Sequence, residues 1–188
     1  MATKGVFILK KITTRKITFV GVLAALYIVL SLLSVGTNNF KASFESFAVL
    51  IAGTLLGPLE GFLVGVIGEF VHQIVYYGVD PTTPLWLIPY AMEGLLAGLL
   101  AKKLLWPEEE RKIGKYVAVV IPCEFLLTLL VTPVNAISAI IQGWGNWLTI
   151  SAGIPLRLAV MVVRMIIYCA ILPLIYPRLK GVLDKIKK

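Results

Sequence analysis

The sequence predicts an all-α integral membrane protein, a six-transmembrane-helix bundle with both termini in the cytoplasm. Three observations lead there. The 188 residues are 59% hydrophobic and only 15% charged, with a mean hydropathy of +0.90, whereas a water-soluble domain of this size carries a larger polar surface. Apolar runs of about 18 residues recur, each long enough for a hydrocarbon core of roughly 30 Å. The net charge of +8 collects at the chain ends and in one loop, as the positive-inside rule requires.

The elements follow in order. Residues 1–16 form a basic cytoplasmic tail with Lys4, Lys10, Lys11, Arg15 and Lys16, and no signal-peptide cleavage site is evident. A first span runs from about Ile17 to Ser34, and a short second one from about Phe44 to Leu56, tilted or partly re-entrant. "GPLEG" (Gly57 to Gly61) turns the chain into a third span that ends near Tyr77. "GVDPTTP" is a loop, and the fourth span covers about Leu85 to Leu105. The charged loop "WPEEERKIGK" leads to a fifth span over about Tyr116 to Val134. "QGWGNWLTISAGIP" connects this to a sixth over about Leu156 to Ile175, before a second basic tail at residues 177–188. Residues 1–188 are read as a single six-helix transmembrane domain.

The loops sort by charge. Lys102, Lys103, Arg111, Lys112 and Lys115 crowd the fourth, whereas the first, third and fifth together hold only Lys41 and Asp80. Those three loops are expected to face outward, and anionic lipid headgroups, not nucleic acid, are the expected partners of the basic ends. Cys123 and Cys169 fall inside apolar spans and read as small buried hydrophobes. The halves show no repeat.

Polar residues recur at helical spacing. Glu69, His72, Gln73 and Tyr76 share one face of span three, and Trp86, Pro89, Tyr90 and Glu93 one face of span four. Glu124, Thr128, Thr132 and Asn135 make a looser stripe in span five, and Arg157, Met161, Arg164 and Tyr168 another in span six. An ionisable group at the centre of a membrane helix costs at least about 2.5–3.5 kcal/mol, so such groups face one another or a wet cavity. Mutual neutralisation of Glu69, Glu93 and Glu124 by Arg157 and Arg164 is one reading. The other, favoured because aromatics and amides accompany the charges, is one outward-opening chamber for a planar polar ring. Asn38 and Asn39 in the first loop, and Trp144 and Trp147 in the fifth, are candidate gate residues, with interfacial anchoring as the alternative for the tryptophans. His72 alone makes no metal site.

Small residues form a second pattern. Gly21, Ala24 and Ala25 give span one a smooth face suited to docking another membrane subunit. Gly61, Gly65 and Gly68 in span three, with Gly94 and Gly98 in span four, suit packing inside the bundle. No phosphate-binding loop, metal signature or nucleophile motif is present, so neither ATP hydrolysis nor other catalysis, nor a cofactor, is expected. The rivals are an intramembrane enzyme using Glu69 and His72 as an acid–base pair, and a structural subunit whose charges are all internally paired.

"TRKITFVGVLAAL", "LLGPLEGFLVGVIGE" with its Gly-Pro-x-x-Gly turn, and "PTTPLWLIPYAMEGLLAGLL", in that order, resemble the S components of energy-coupling factor transporters, the substrate-binding membrane subunits of vitamin importers. The resemblance covers nearly the whole chain. It implies a plasma-membrane, multi-pass protein that captures a water-soluble vitamin from outside. Release inside would depend on a transmembrane coupling subunit and two cytoplasmic ATPases. It maps the family's docking motif onto Gly21 and Ala25, with Gly where the family usually has Ala. The folate-type group is the most similar; pyridoxine-, thiamine- and pantothenate-like ligands stay open.

Overall fold

Helix α1 spans Thr14–Leu32 and leads into a hairpin of β1 (Val35–Thr37) and β2 (Phe40–Ala42), followed by α2 (Ser46–Leu56), α3 (Pro58–Tyr77), α4 (Thr83–Leu104), α5 (Ile113–Ile141) and α6 (Ile154–Lys187). The computed structural model describes residues 14–37, 40–106, 112–143, 145, 151 and 153–187. The hairpin is antiparallel, with Val35 opposite Ala42 and Thr37 opposite Phe40, where the sequence suggested only a loop. Asn38 and Asn39 lie outside the described residues, as do Trp144 and Trp147.

Helix boundaries follow local chemistry. Gly57, at φ +132°, is the sole break between α2 and α3. Pro58 then opens α3, because its missing N–H is an orphan at the first helical position anyway. The "GPLEG" turn is therefore one residue long, and Glu60 and Gly61 are already helical. Gly78, at φ +75°, ends α3. Two helices outrun their apolar cores. α5 continues through Pro133 to Ile141, and α6 continues through Pro173 and Pro177 to Lys187. A proline inside a membrane helix is tolerated where neighbours and local adjustment satisfy the freed carbonyl, and the Lys, Arg and Leu beyond Ile175 are good helix formers. The expected C-terminal tail is thus mostly helix, and Asn135 lies within α5 rather than at its end.

Four helices are long and apolar enough to cross a membrane: Pro58–Tyr77, Thr83–Leu104, Ile113–Ile141 and Ile154–Leu183. At 11 residues, α2 rises only about 16 Å, half a hydrocarbon core, the short second element the sequence predicts. It is sheathed by protein: nine of its residues are buried, and it packs against α1, α3, α4 and α6.

Glycine sets the tightest contact. A Cβ on Gly94 would lie 2.2 Å from the Gly61 carbonyl oxygen, one on Gly65 would lie 2.4 Å from the Tyr90 carbonyl oxygen, and one on Gly98 would meet the Pro58 backbone at 2.3 Å. The backbones of α3 and α4 touch there, and α2 joins them at Gly53. Around this seam lie two apolar clusters, one including Leu50, Ala97, Val120 and Leu172, the other including Val20, Val49, Val64 and Leu127.

The two ends of the bundle differ. At one end, where α1 starts, α2 meets α3 and α4 stops, Lys16 pairs with Glu60, and the Trp106 indole donates to the Thr54 carbonyl at 2.9 Å. Tyr116 and Tyr176 meet edge to face there, 5.6 Å apart, joining the start of α5 to the later part of α6. This end carries Lys102, Lys103, Lys112, Lys115, Arg178 and Lys180.

Candidate functional site

The polar stripes lie toward the opposite end, and they resolve into distinct groups. The first belongs to α3 and α1. Glu69 accepts from the Tyr27 hydroxyl at 2.5 Å and from the Gln73 amide at 2.6 Å, and the His72 Nδ1 lies 3.0 Å from its Oε2. All four side chains are buried. Tyr27 reaches Glu69 because Gly68 leaves room: a Cβ there would lie 2.6 Å from Tyr27 Cγ. Tyr76, expected on the same inward face, is exposed at the mouth of this group, its ring centroid 4.9 Å from that of His72.

The second group surrounds the start of α2. Glu45 Oε1 accepts from the hydroxyls of Ser43 at 2.5 Å and Tyr90 at 3.0 Å. The third joins α5 and α6. An Arg164 Nη2 lies 3.0 Å from Glu124 Oε2, and the Ser46 hydroxyl donates to Glu124 Oε1 at 3.1 Å while lying 2.9 Å from the Tyr168 hydroxyl. Neighbouring positions in the chain, Glu45 and Ser46, join these two groups. The Glu69 group touches them through Tyr27 and Tyr90, whose rings meet edge to face at 5.5 Å.

Glu93 stands apart. Its side chain is fully buried at 0% exposure, it feels the charges of Glu124, Arg164 and Glu45, and neither of its oxygens has a hydrogen-bond partner. Glu45 Oε2 and Arg164 Nε are likewise buried without one. A buried polar atom left so costs about 1–3 kcal/mol, more for a charged group. Thr128 Oγ1 and Glu124 Oε2 also lack a hydrogen bond, the latter being ion-paired with Arg164, so the free valences are mainly carboxyl acceptors, beside one guanidinium N–H and the Thr128 hydroxyl.

The expectation of one chamber lined by four stripes needs correction. Glu69 is saturated by Tyr27, His72 and Gln73, because α1 packs along α3 and supplies the hydroxyl. Arg157 is half-buried and makes no ion pair among the described residues, so it neutralises none of the glutamates; Arg164 does so for Glu124. Asn135 is half-buried in α5, and the Thr132 hydroxyl turns back to the Thr128 carbonyl at 2.8 Å instead of facing a partner helix. The Trp86 indole N–H lies 3.4 Å from the Ser138 hydroxyl near the end of α5.

The α3–α4 loop is fastened to the end of α5. Asp80 accepts from the Thr82 hydroxyl and backbone N–H at 2.5 and 2.7 Å and from the Gln142 amide at 3.0 Å, and Thr82 lies 3.0 Å from the Ser138 hydroxyl. The Thr82 hydrogen bonds hold the Asp80 carboxyl below its ordinary value.

On α1, Gly21 and Ala25 are exposed and a Cβ on Gly21 would meet nothing within 4 Å. Ala24 is buried at 4% exposure, one helical step away and turned into the bundle, so it is no part of an outer docking face. Sequence reasoning missed Tyr27, Ser43, Glu45 and Ser46. The last three carry a legible signal, polar residues opening an apolar helix; Tyr27 carries none, being one aromatic in an apolar run.

Comparison with known proteins completes the description. A family model described as "ECF-type riboflavin transporter, S component" matches residues 11–177. A UPF0397 protein of Streptococcus gordonii is 32% identical over 94 residues, 49% of this chain and 50% of that protein. A UPF0397 protein of Streptococcus pneumoniae is 33% identical over 95 residues, with the same coverage of 49% and 50%. The chain spans about half the length of the curated relatives it matches. A solved structure described as "Structure and mechanism of the S component of a bacterial ECF transporter" superposes with a TM-score of 0.61 at 16% identity, over 90% of this chain and 97% of the other. Another, "Crystal structure of FolT bound with folic acid", gives 0.58 at 20% identity over 84% and 91%. At these identities the likeness is one of fold.

Proposed function

The chain belongs to the ECF-type riboflavin transporter S component family, and from that premise we propose that it is the membrane-embedded substrate-binding subunit of an ATP-driven vitamin importer in the plasma membrane. It takes a water-soluble vitamin from outside and hands it on with a transmembrane coupling subunit and two cytoplasmic ATPases. The basic end faces the cytoplasm with both termini, and the buried polar groups lie in the outer half.

The observation that carries this reading, beyond the family match over residues 11–177, is the set of unsatisfied buried carboxyl oxygens on Glu93 and Glu45, which suits a protein that completes its hydrogen bonding with a ligand. The acid–base enzyme reading has less support, since both oxygens of Glu69 already accept hydrogen bonds. A planar heterocyclic ligand fits beside the edge-to-face rings of Tyr27 and Tyr90. The likeness to a structure bound with folic acid favours the folate-like class among the candidates.

The test is extraction of the purified chain, mass spectrometry of what is released, and uptake in vesicles holding the chain with its coupling subunit and ATPases. A copurifying vitamin, taken up only when the chain is present, is the expected result. A chain that yields no small molecule and does not alter uptake overturns the reading.

A further inference from the structure

Among the buried acids, Glu69 has both oxygens engaged, and Glu124 is held by Ser46 and Arg164. Glu93 has nothing on either oxygen, and Glu45 keeps Oε2 free while Oε1 takes Ser43 and Tyr90. Ionised, Glu93 lacks donors; protonated, it lacks an acceptor for its O–H. Its charge neighbours, Glu45, Glu124 and Arg164, set three carboxyl groups against one guanidinium, which leaves the locality short of positive charge and of N–H donors.

We infer that Glu93 anchors the substrate, and that the substrate is a nitrogen heterocycle presenting two adjacent N–H donors, an amidinium- or 2-amino-4-oxopyrimidine-type edge. Such an edge meets a carboxylate through two parallel N–H···O bonds, the strongest geometry available to it. A ring edge of carbonyls flanking a single N–H sets two acceptors against the carboxylate oxygens, and an acyclic anion adds like charge to a locality already rich in it. The Arg164 Nε, buried and without a hydrogen-bond partner, supplies one donor for an acceptor elsewhere on the ligand. This inference rests on the substrate-binding reading above.

Calorimetry on the purified chain in detergent tests it with four probes: folic acid, whose pterin sets a ring N–H beside an amino group, and thiamine, riboflavin and pantothenate, which do not present that edge. Binding of folic acid well ahead of the other three is expected. Glu93→Gln should weaken it by at least ~10-fold, as loss of a charge-assisted hydrogen bond does, and Glu60→Gln at the basic end should leave it unchanged. Because Glu93 is unpartnered without ligand, Glu93→Met should abolish binding while leaving the melting temperature unchanged or higher.

Equal or tighter binding of thiamine, riboflavin or pantothenate, an unaffected Glu93→Gln variant, or a lower melting temperature for Glu93→Met would each overturn the assignment and leave the importer reading standing. Failure of all four probes to bind also overturns it, and ligand extraction then decides separately whether the chain binds a vitamin at all.

Discussion

The Tyr27 hydroxyl donates to Glu69 Oε2 at 2.5 Å, joining α1 to α3 across 42 positions of sequence in the buried interior. The bond exists because Gly68 lets the Tyr27 ring lie against the α3 backbone. Tyr27→Phe keeps that packing and removes only the hydroxyl. It should cost about 1.5–3 kcal/mol, the range for a hydrogen bond to a charged group, read as a lower unfolding midpoint in detergent.

Glu124 is buried, and the Arg164 guanidinium, its side chain 12% exposed, is its only ion-pair partner among the described residues. Arg164→Met should destabilise the chain by about 3–5 kcal/mol, because it strands a carboxylate. Adding Glu124→Gln should restore much of that loss. A double-mutant cycle on unfolding free energies reads the coupling, and additive losses would contradict it.

Glycines at different places should respond in opposite ways. Gly94→Ala drives a methyl into the Gly61 carbonyl, where the neighbouring atoms are backbone and must move; a loss of about 1–3 kcal/mol or more is expected. Gly21→Ala meets open space and should leave stability equal or raised by up to about 1 kcal/mol, since Ala is the better helix former. Thermal unfolding of the two variants side by side is the measurement.

The exposed Gly21 and Ala25 face makes a separate prediction about assembly. Ala25→Trp should leave vitamin binding by the isolated chain intact and abolish uptake by vesicles containing the coupling subunit and ATPases. Loss of binding together with uptake would place Ala25 in the fold of the site instead of on a docking surface.

Asp80 sits below its ordinary value of 3.8 because Thr82 donates to it twice and Gln142 once. A carboxyl whose folded value is depressed adds stability above its unfolded value and loses it as pH falls through the folded one. Asp80→Asn should therefore lower the melting temperature at neutral pH. The difference from the parent chain should shrink as pH falls from 3.8 through the lower folded value, below which both side chains are uncharged.

Much of this architecture was legible in one dimension. The helices from α3 to α6 were visible as apolar runs, because hydrocarbon demands length and continuity that composition displays directly. The glycines of α3 and α4 announced close packing for a similarly local reason: small residues at helical spacing make a groove whatever fills it. Boundaries were less legible. The fifth and sixth spans read as ending near Val134 and Ile175, yet α5 and α6 run on to Ile141 and Lys187, since helix continuation depends on neighbours as well as on local hydropathy.

The candidate site was legible as a set of residue types and not as a constellation. Glu69, His72 and Gln73 do share a face, and Glu93 and Tyr90 do point inward, as 3.6-residue periodicity dictates. Which partner each face met was not written in that period. Sequence determined the membrane architecture, the basic end and the inventory of polar side chains, all of which follow from local hydropathy and charge. Only the tertiary structure decided that Tyr27 satisfies Glu69, that Arg164 and not Arg157 holds Glu124, and that Glu93 is left open. Those outcomes depend on which helices lie side by side, and glycine contacts between distant parts of the chain fix that choice.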